Sequence, residues 1–325
     1  MIVHERAPAD RVATLRSEPG HGLFSLAEID DAALSRLVHR SVALSVDSRD
    51  HVRPLAERII GLLFMRTSTR TRTAFTAAAV RLGGTPLAFG PADLQTNTGE
   101  SIQDTGRVLG AMLDAIVIRT AGPVQEMRDL SCWGRVPVVN AMSAEEHPTQ
   151  GICDLATMQL QFGALDGLSL LYIGEGNSTA TALAHGLARM PGARTTFVTP
   201  AGFGLPTQVA LTASACARRH GGSLTELHSM AELPTDVDVV YTSRWQTTGS
   251  TKADPGWREV FRPFHVDEAL MRRWPAAWFL HDLPAHRGEE VSGSVLDGPR
   301  SLAWTQATMK LSSAMAVLEQ TLAES

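Results

Sequence analysis

Ile59-Ile60-Gly61-Leu62-Leu63-Phe64-Met65, followed after Arg66-Thr67 by Ser68-Thr69-Arg70-Thr71-Arg72, sets how the rest of the chain is read. The first seven residues are an unbroken apolar run of strand length, as expected for a strand covered on both faces. Alanine-rich Thr73 to Arg81 predicts a helix that stops at Gly83-Gly84. Between them lies a turn of hydroxyls and guanidinium groups. A helix start offers free backbone N–H groups and the positive end of the helix dipole, and arginine forks bind phosphate oxygens in pairs. The segment therefore reads as an anion site. The glycines of a Walker loop are missing, so a nucleoside triphosphate is not the expected anion. The plainer reading is a Ser/Thr helix cap with solvated arginines.

The same alternation repeats outward from this point. Strands are expected at 59–65, 85–90, 114–120 and 136–141, and again at 168–174, 194–199, 237–242 and 277–281. Helical spacing runs through Leu26 to Leu44, and helices are expected at 101–113, 149–162, 178–190, 206–220, 265–273 and 305–322. Strand–helix alternation predicts α/β architecture: two doubly wound domains, each with a mainly parallel sheet, and a terminal helix crossing back to the first. The expected division is residues 1–145 plus the helix near 305–325, against 146–304. Ligands of such sheets bind beyond the carboxyl ends of the strands. The polar clusters fall there: Ser68 to Arg72, Arg119-Thr120, His147-Pro148-Thr149-Gln150, Gly174-Glu175-Gly176-Asn177, Ser243-Arg244-Trp245-Gln246 and His281-Asp282-Leu283-Pro284. One cleft between two domains accounts for all six.

Composition narrows the class. Across 325 residues, 44% are hydrophobic and 19% charged, enough apolar surface for two cores of ordinary size. A net charge of -5 with no basic tract argues against nucleic acid or an acidic membrane as partner. Cys132, Cys153 and Cys216 are too dispersed for a disulfide framework or a zinc ribbon. No apolar run has membrane-spanning length, and Met1 to Val12 is too charged for a signal peptide, so a cytoplasmic location is expected.

In order and spacing, the motifs resemble those of the transcarbamylases, the aspartate and ornithine carbamoyltransferases. The resemblance runs from Phe24-Ser25-Leu26 to the terminal helix. It is carried by Ser68-Thr69-Arg70-Thr71-Arg72, Glu100-Ser101-Ile102-Gln103-Asp104-Thr105, Glu146-His147-Pro148-Thr149-Gln150 and Asp282-Leu283-Pro284-Ala285-His286-Arg287-Gly288-Glu289-Glu290-Val291. It implies a carbamoyl-phosphate domain, an acceptor domain and a homotrimer with shared active sites, needing no cofactor and no metal. Carried over by position, Ser68, Thr69, Arg70 and Thr71 would hold the phosphate, and Arg119, His147 and Gln150 the carbamoyl group. Gln95 resembles the loop through which a neighbouring subunit reaches into the site, and Asn177 matches an acceptor-binding position. These residue types suit the chemistry. Amine attack on carbamoyl phosphate makes a tetrahedral oxyanion, and donors aimed at it are each worth roughly 3–4 kcal/mol of barrier. Holding two small reactants together supplies about 7–11 kcal/mol more.

The acceptor side departs from the family pattern. Ornithine enzymes carry an acidic residue after Tyr-Thr and then a Ser-Met-Gly turn, whereas Tyr241-Thr242 is followed here by Ser243-Arg244-Trp245-Gln246-Thr247-Thr248-Gly249. Arg244 and Gln246 resemble the aspartate branch, which also uses an arginine where this chain has none. Asp282 replaces a cysteine, and Lys310 replaces an arginine near the carbamoyl oxygen, keeping the charge but losing the planar fork. Asp282 either binds a cation on the acceptor or pairs with Arg287 or Arg244. The expected acceptor is a small amino acid or related amine other than ornithine or aspartate, touched by Asn177, Ser243, Arg244, Gln246, Asp282 and Leu283. Ornithine transfer proper, a non-catalytic homologue and an NAD-dependent dehydrogenase are the competing readings. The last rests on Gly174-x-Gly176, with Thr179 where a third glycine belongs. A metal site built from His281, Asp282, His286, Glu289 and Glu290 lacks helical ligand spacing. Trp245 is expected to line the acceptor pocket, Trp257 and Trp274 to pack, and 244–264 to form a lid.

Overall fold

The computed structural model describes residues 21–46, 53–247, 249 and 251–323. The charged start Met1 to Val12 and lid positions 248 and 250 lie outside the described residues. The described strands form two five-stranded parallel sheets. The first contains β1 (Gly22–Leu23), β2 (Ile59–Phe64), β3 (Thr85–Phe89), β4 (Ala115–Arg119) and β5 (Val138–Asn140), in the order β1-β5-β4-β2-β3. The second contains β6 (Ser169–Ile173), β7 (Arg194–Val198), β8 (Ser223–Leu227), β9 (Val239–Thr242) and β10 (Trp278–His281), in the order β10-β9-β6-β7-β8.

Each sheet has one point where the strand order reverses, between β2 and β4 in the first and between β6 and β9 in the second. Register brings the paired ends level, Phe64 beside Arg119 and Ile173 beside Thr242. Chains leaving such a pair turn to opposite faces and open a crevice between them. Both crevices therefore fall among the polar clusters of the sequence.

The helices are α1 (Asp31–Val46), α2 (Thr69–Arg81), α3 (Ile102–Gly110), α4 (Val124–Gly134), α5 (Pro148–Phe162), α6 (Ser178–Leu187) and α7 (Thr207–Arg219). Short α8 (Trp257–Phe261), α9 (Glu268–Met271) and α10 (Gly293–Leu296) precede the long terminal α11 (Ala303–Ala323). α11 packs on α1, α2 and α5, so the chain's end crosses back to the first half. One apolar cluster runs from Leu62 and Phe75 through Ile152 and Leu155 of α5 to Tyr172 and Leu183. That shared core fixes the two sheets relative to one another. Among the described residues, no helix is long and apolar enough to cross a membrane.

The structure corrects several expected elements. α2 begins at Thr69 rather than Thr73, because Ser68 is extended (φ -157°) and the hydroxyl- and arginine-rich residues themselves form the first helical turn. β1, β8, α4, α8 and α10 lie where the sequence predicts no element. β8 (Ser-Leu-Thr-Glu-Leu) is a half-exposed edge strand with no apolar run, and α4 carries a mixed sequence on a surface face. The helix expected at 265–273 shortens to Glu268–Met271, capped by Asp267 Oδ1, which accepts from Leu270 N at 2.8 Å.

Candidate active site

The two crevices face each other across a cavity of about 220 Å3. From the first sheet, Ser68, Thr69, Arg70 and Thr71 enter at the end of β2 and Arg119 at the end of β4. The first turn of α2 points here, so its unpaired N–H groups and the helix dipole meet the guanidinium groups of Arg70 and Arg119. His147 and Gln150 come from the start of α5, where Pro148 at the first helical position fixes the entry of the chain. From the second sheet come Asn177 after β6, Ser243 and Arg244 after β9, and Asp282 and Leu283 after β10. Lys310 reaches in from α11.

Arg119 joins the parts that hold the first end. One of its Nη atoms donates to Thr71 Oγ1 at 3.2 Å and to His147 Nε2 at 3.3 Å. Burial lowers the Arg119 guanidinium to about 10, with Asp282 opposing the shift, so it stays charged at neutral pH. Burial drives His147 well below its ordinary value, and Arg119 and Lys310 add to the effect. The ring is therefore neutral. With Nε2 accepting from Arg119, Nδ1 carries the proton and donates to Thr149 Oγ1 at 3.3 Å. Donation to a ligand carbonyl requires the other tautomer, which the Thr149 hydroxyl supports by reversing its own bond.

A buried carboxylate missed in the sequence orients this end. Asp154 accepts from Gln150 Nε2 and Gln306 Nε2 at 2.6 Å each and from Tyr241 Oη at 3.1 Å. Lys310 Nζ in turn donates to Gln150 Oε1. Burial raises Asp154 to about 7 despite these donors, and burial lowers Lys310. One turn separates Asp154 from Gln150 on α5, and that i, i+4 spacing was the available signal.

On the acceptor side, Asn177 caps α6: its Oδ1 accepts from Thr179 N at 3.0 Å and Ala180 N at 3.1 Å. Its Nδ2 donates to Ser243 Oγ at 2.9 Å. Tyr172 Oη donates to the Glu175 carbonyl, so the 2.7 Å contact between Ser243 Oγ and Tyr172 runs from serine to tyrosine. Both polar ends of Asn177 and the Ser243 proton are thus already used. Gly176 is required here, since a Cβ on it would lie 2.2 Å from the Gly204 carbonyl carbon.

Asp282 Oδ2 accepts from Thr179 Oγ1 at 2.9 Å, which gives a use to the residue that spoils the dinucleotide fingerprint. Arg287, one of the two expected ion-pair partners of Asp282, is bound instead to Asp297 at 2.5 Å. Leu283 sits in the left-handed region (φ 53°), held by its N–H to His281 Nδ1 at 2.8 Å. Met142, with φ 137°, is a second strained residue on the cavity wall, and nothing in the sequence pointed to it.

Three of the residues singled out in the sequence lie off the wall of this cavity. Gln246 is on the wall of neither this cavity nor its neighbour. Gln95 begins an exposed 3-10 turn, Gln95–Thr98, away from the cavity. Trp245 does not line the cavity: it is buried against Phe261 with Trp257, because an apolar cluster was available behind the loop. Lys252 Nζ sits over Phe203, Trp257 and Phe261 at 5.2–5.3 Å and pairs with Glu175 Oε1 at 2.5 Å, which pins part of segment 244–264. Trp257 and Trp274 are packed, Trp274 Nε1 donating to the Pro234 carbonyl at 3.0 Å. His286, Glu289 and Glu290 lie within 4.8 Å of one another. Glu290 there accepts from His281 Nε2 at 3.2 Å and from the His286 N–H at 2.5 Å, and Glu289 pairs with Arg258 at 3.3 Å.

Comparison with known proteins agrees with this geometry. Residues 21–160 match the carbamoyl-P binding domain of aspartate/ornithine carbamoyltransferases, and residues 166–321 match their Asp/Orn binding domain. The ornithine carbamoyltransferase of Gloeobacter violaceus is 36% identical over 297 residues, 91% of this chain and 94% of that protein. The solved ornithine carbamoyltransferase of Pyrococcus furiosus superimposes with a TM-score of 0.86 at 34% identity, covering 93% of this chain and 97% of that one. The catalytic subunit of M. Jannaschii aspartate transcarbamoylase gives 0.80 at 25% identity, covering 94% and 98%.

Proposed function

The chain belongs to the aspartate/ornithine carbamoyltransferase family, and from that premise we propose that it moves the carbamoyl group of carbamoyl phosphate to the amine of a small amino acid. One observation carries the reading: the start of α2, Arg70, Arg119, His147, Gln150 and Lys310 meet the ends of β6, β9 and β10 across a single cavity. Ser68, Thr69, Arg70 and Thr71 hold the phosphate. Arg119, Lys310 and the His147–Gln150 pair face the carbamoyl oxygen, where negative charge develops. The amine nitrogen attacks the carbamoyl carbon, the C–O bond to phosphate breaks, and the proton lost by the amine ends on the departing phosphate or in water. Neutral His147 and charged Arg119 suit oxyanion stabilisation in a low-dielectric site, each donor contributing roughly 3–4 kcal/mol. No step requires a covalent enzyme intermediate.

Arg244, Asn177, Ser243, Asp282 and Leu283 form the acceptor end. Gln95, exposed and outside its own chain's cavity, serves the site of a neighbouring subunit in a cytoplasmic homotrimer. The reading is tested by phosphate release from carbamoyl phosphate with a panel of amino acids. Release that requires an amine and yields the carbamoylated amine supports transfer; no release with any amine refutes it.

A further inference from the structure

β10 delivers two residues to the acceptor end, Asp282 and Leu283, and their backbone is not self-supporting. Leu283 lies at φ 53°, in the left-handed region that a residue with a Cβ seldom adopts, so neighbouring groups must hold it there. Its N–H donates to His281 Nδ1 at 2.8 Å, two residues back.

An imidazole nitrogen accepts a hydrogen bond only when it carries no proton. The bond to Leu283 therefore exists in one tautomer of neutral His281, the one protonated at Nε2. Two carboxylates compete for that proton. Glu290 Oε1 stands 3.2 Å from Nε2, and Asp282 Oδ1 stands 3.5 Å from Nδ1. The Glu290 contact is the shorter, and both the ring and the Glu290 side chain are 0% exposed, so water does not replace either partner. Without Glu290 the proton would pass to Nδ1, where it would oppose the Leu283 N–H and draw Asp282 onto the ring, away from the cavity.

The pair is itself anchored. Glu290 Oε1 also accepts from the His286 N–H at 2.5 Å, and the Glu290 carbonyl accepts from the Val266 N–H at 2.9 Å. The His281 N–H donates to Gln306 Oε1 at 3.0 Å. Neither His281 nor Glu290 lines the cavity, so any effect on the acceptor passes through Leu283 and Asp282.

Resting on the transfer reading above, we infer that Glu290 is a positioning residue of the acceptor site. Its carboxylate sets the His281 tautomer, the tautomer holds the Leu283 backbone, and Asp282 and Leu283 are thereby kept turned to the cavity. The phosphate end, built on α2 and β4, is outside this chain of contacts.

The test uses the amine that gives the fastest phosphate release in the panel above, at saturating carbamoyl phosphate, together with calorimetric affinity for carbamoyl phosphate. Glu290→Met removes the partner of Nε2. The acceptor KM is expected to rise at least about tenfold, while carbamoyl phosphate affinity stays within about twofold of wild type. Glu290→Gln alters Oε2, which no donor reaches among the described residues, and keeps a carbonyl oxygen for His281 and His286. Its acceptor KM is expected within about threefold of wild type. His281→Asn puts a side-chain oxygen where Nδ1 stands, able to accept from the N–H two residues on with no tautomer to set. The double variant His281→Asn/Glu290→Met is therefore expected to recover most of what Glu290→Met loses. An unchanged acceptor KM in Glu290→Met, whatever its thermal midpoint, overturns the inference, as does a double variant no better than Glu290→Met; both leave carbamoyl transfer standing. If the variants do not fold, nitrogen-15 NMR of histidine-labelled wild type decides: a bare Nδ1 on His281 supports the inference, and a protonated Nδ1 overturns it. Absence of phosphate release with any amine overturns the inference together with the reading beneath it.

Discussion

Gln150 Nε2 donates to Asp154 Oδ1 at 2.6 Å, one helical turn further along α5, and this bond decides which end of the Gln150 carboxamide meets Lys310. With nitrogen turned to Asp154, the oxygen faces the Lys310 ammonium, and both groups are held at the carbamoyl end of the cavity. Asp154 also ties Gln306 of α11 and Tyr241 of β9 to the same oxygens. One buried carboxyl group therefore connects Gln150 of α5 with β9 of the second sheet and with the terminal helix.

Asp154→Ala should leave two buried donors, Gln150 Nε2 and Tyr241 Oη, without an acceptor, while Gln306 Nε2 keeps Tyr241 Oη at 3.1 Å. Each orphaned donor costs about 1–3 kcal/mol, so urea denaturation should show a loss of at least about 2 kcal/mol. In whatever fraction remains folded at low temperature, kcat should drop by about 10- to 100-fold. A stable variant with full kcat would remove Asp154 from this role.

Glu146 provides a pH prediction. It accepts from Leu26 N at 2.8 Å and from Ser25 Oγ, yet burial raises it from 4.5 to about 7. Because its pKa is raised in the folded state, folded protein holds a proton that unfolded protein releases. Its stabilising contribution is full below pH 4.5 and disappears as pH rises through 7, a span worth about 3 kcal/mol. Asp154 acts in the same direction. Thermal midpoints should therefore fall between pH 4.5 and 7, and fall less steeply in Glu146→Gln. Identical slopes for the two proteins would rule out Glu146 as the source.

Lys252→Met should free the loop that it pins. The substitution leaves Glu175 as an uncompensated buried carboxylate and removes a cation from the rings of Phe203, Trp257 and Phe261. Breaking one side of a buried pair costs about 3–5 kcal/mol. Acrylamide should quench the fluorescence of Trp245 and Trp257 more strongly in the variant, and the acceptor KM should rise. Unchanged quenching would mean that the aromatic cluster holds the segment alone.

Much of this arrangement could be read from the chain. Apolar runs such as Ile59–Phe64 and Leu170–Ile173 announce buried parallel strands, and a parallel sheet puts function at their carboxyl ends. The placement of Arg70, Arg119, His147, Arg244, Asp282 and Lys310 on one cavity wall follows from that rule together with the resemblance. Other features leave no such mark. β8 (Ser-Leu-Thr-Glu-Leu) breaks the polar/apolar alternation at Thr225-Glu226 on a half-exposed edge, so its sequence resembles a loop. Trp245 adjoins Arg244 in sequence, but neighbouring residues leaving a strand point to opposite sides, and the ring turns to Phe261. Thr179 counts in a sequence only as a missing glycine, although its hydroxyl holds Asp282. Asp154 stands alone among apolar residues, and only the folded chain supplies its three donors.

The account rests on a phosphate site at the start of α2, where Arg70 shares the cavity wall with Asp282 and Arg244 and burial lowers its guanidinium pKa. Calorimetric titration of carbamoyl phosphate into wild type and Arg70→Ala tests this most directly. A charge-assisted arginine contact is worth about 1.5–3 kcal/mol, so one site per chain in the wild type should weaken by roughly 10- to 150-fold in a variant that keeps its thermal midpoint. Equal affinity in the two proteins, or no binding by the wild type at millimolar ligand, would contradict it.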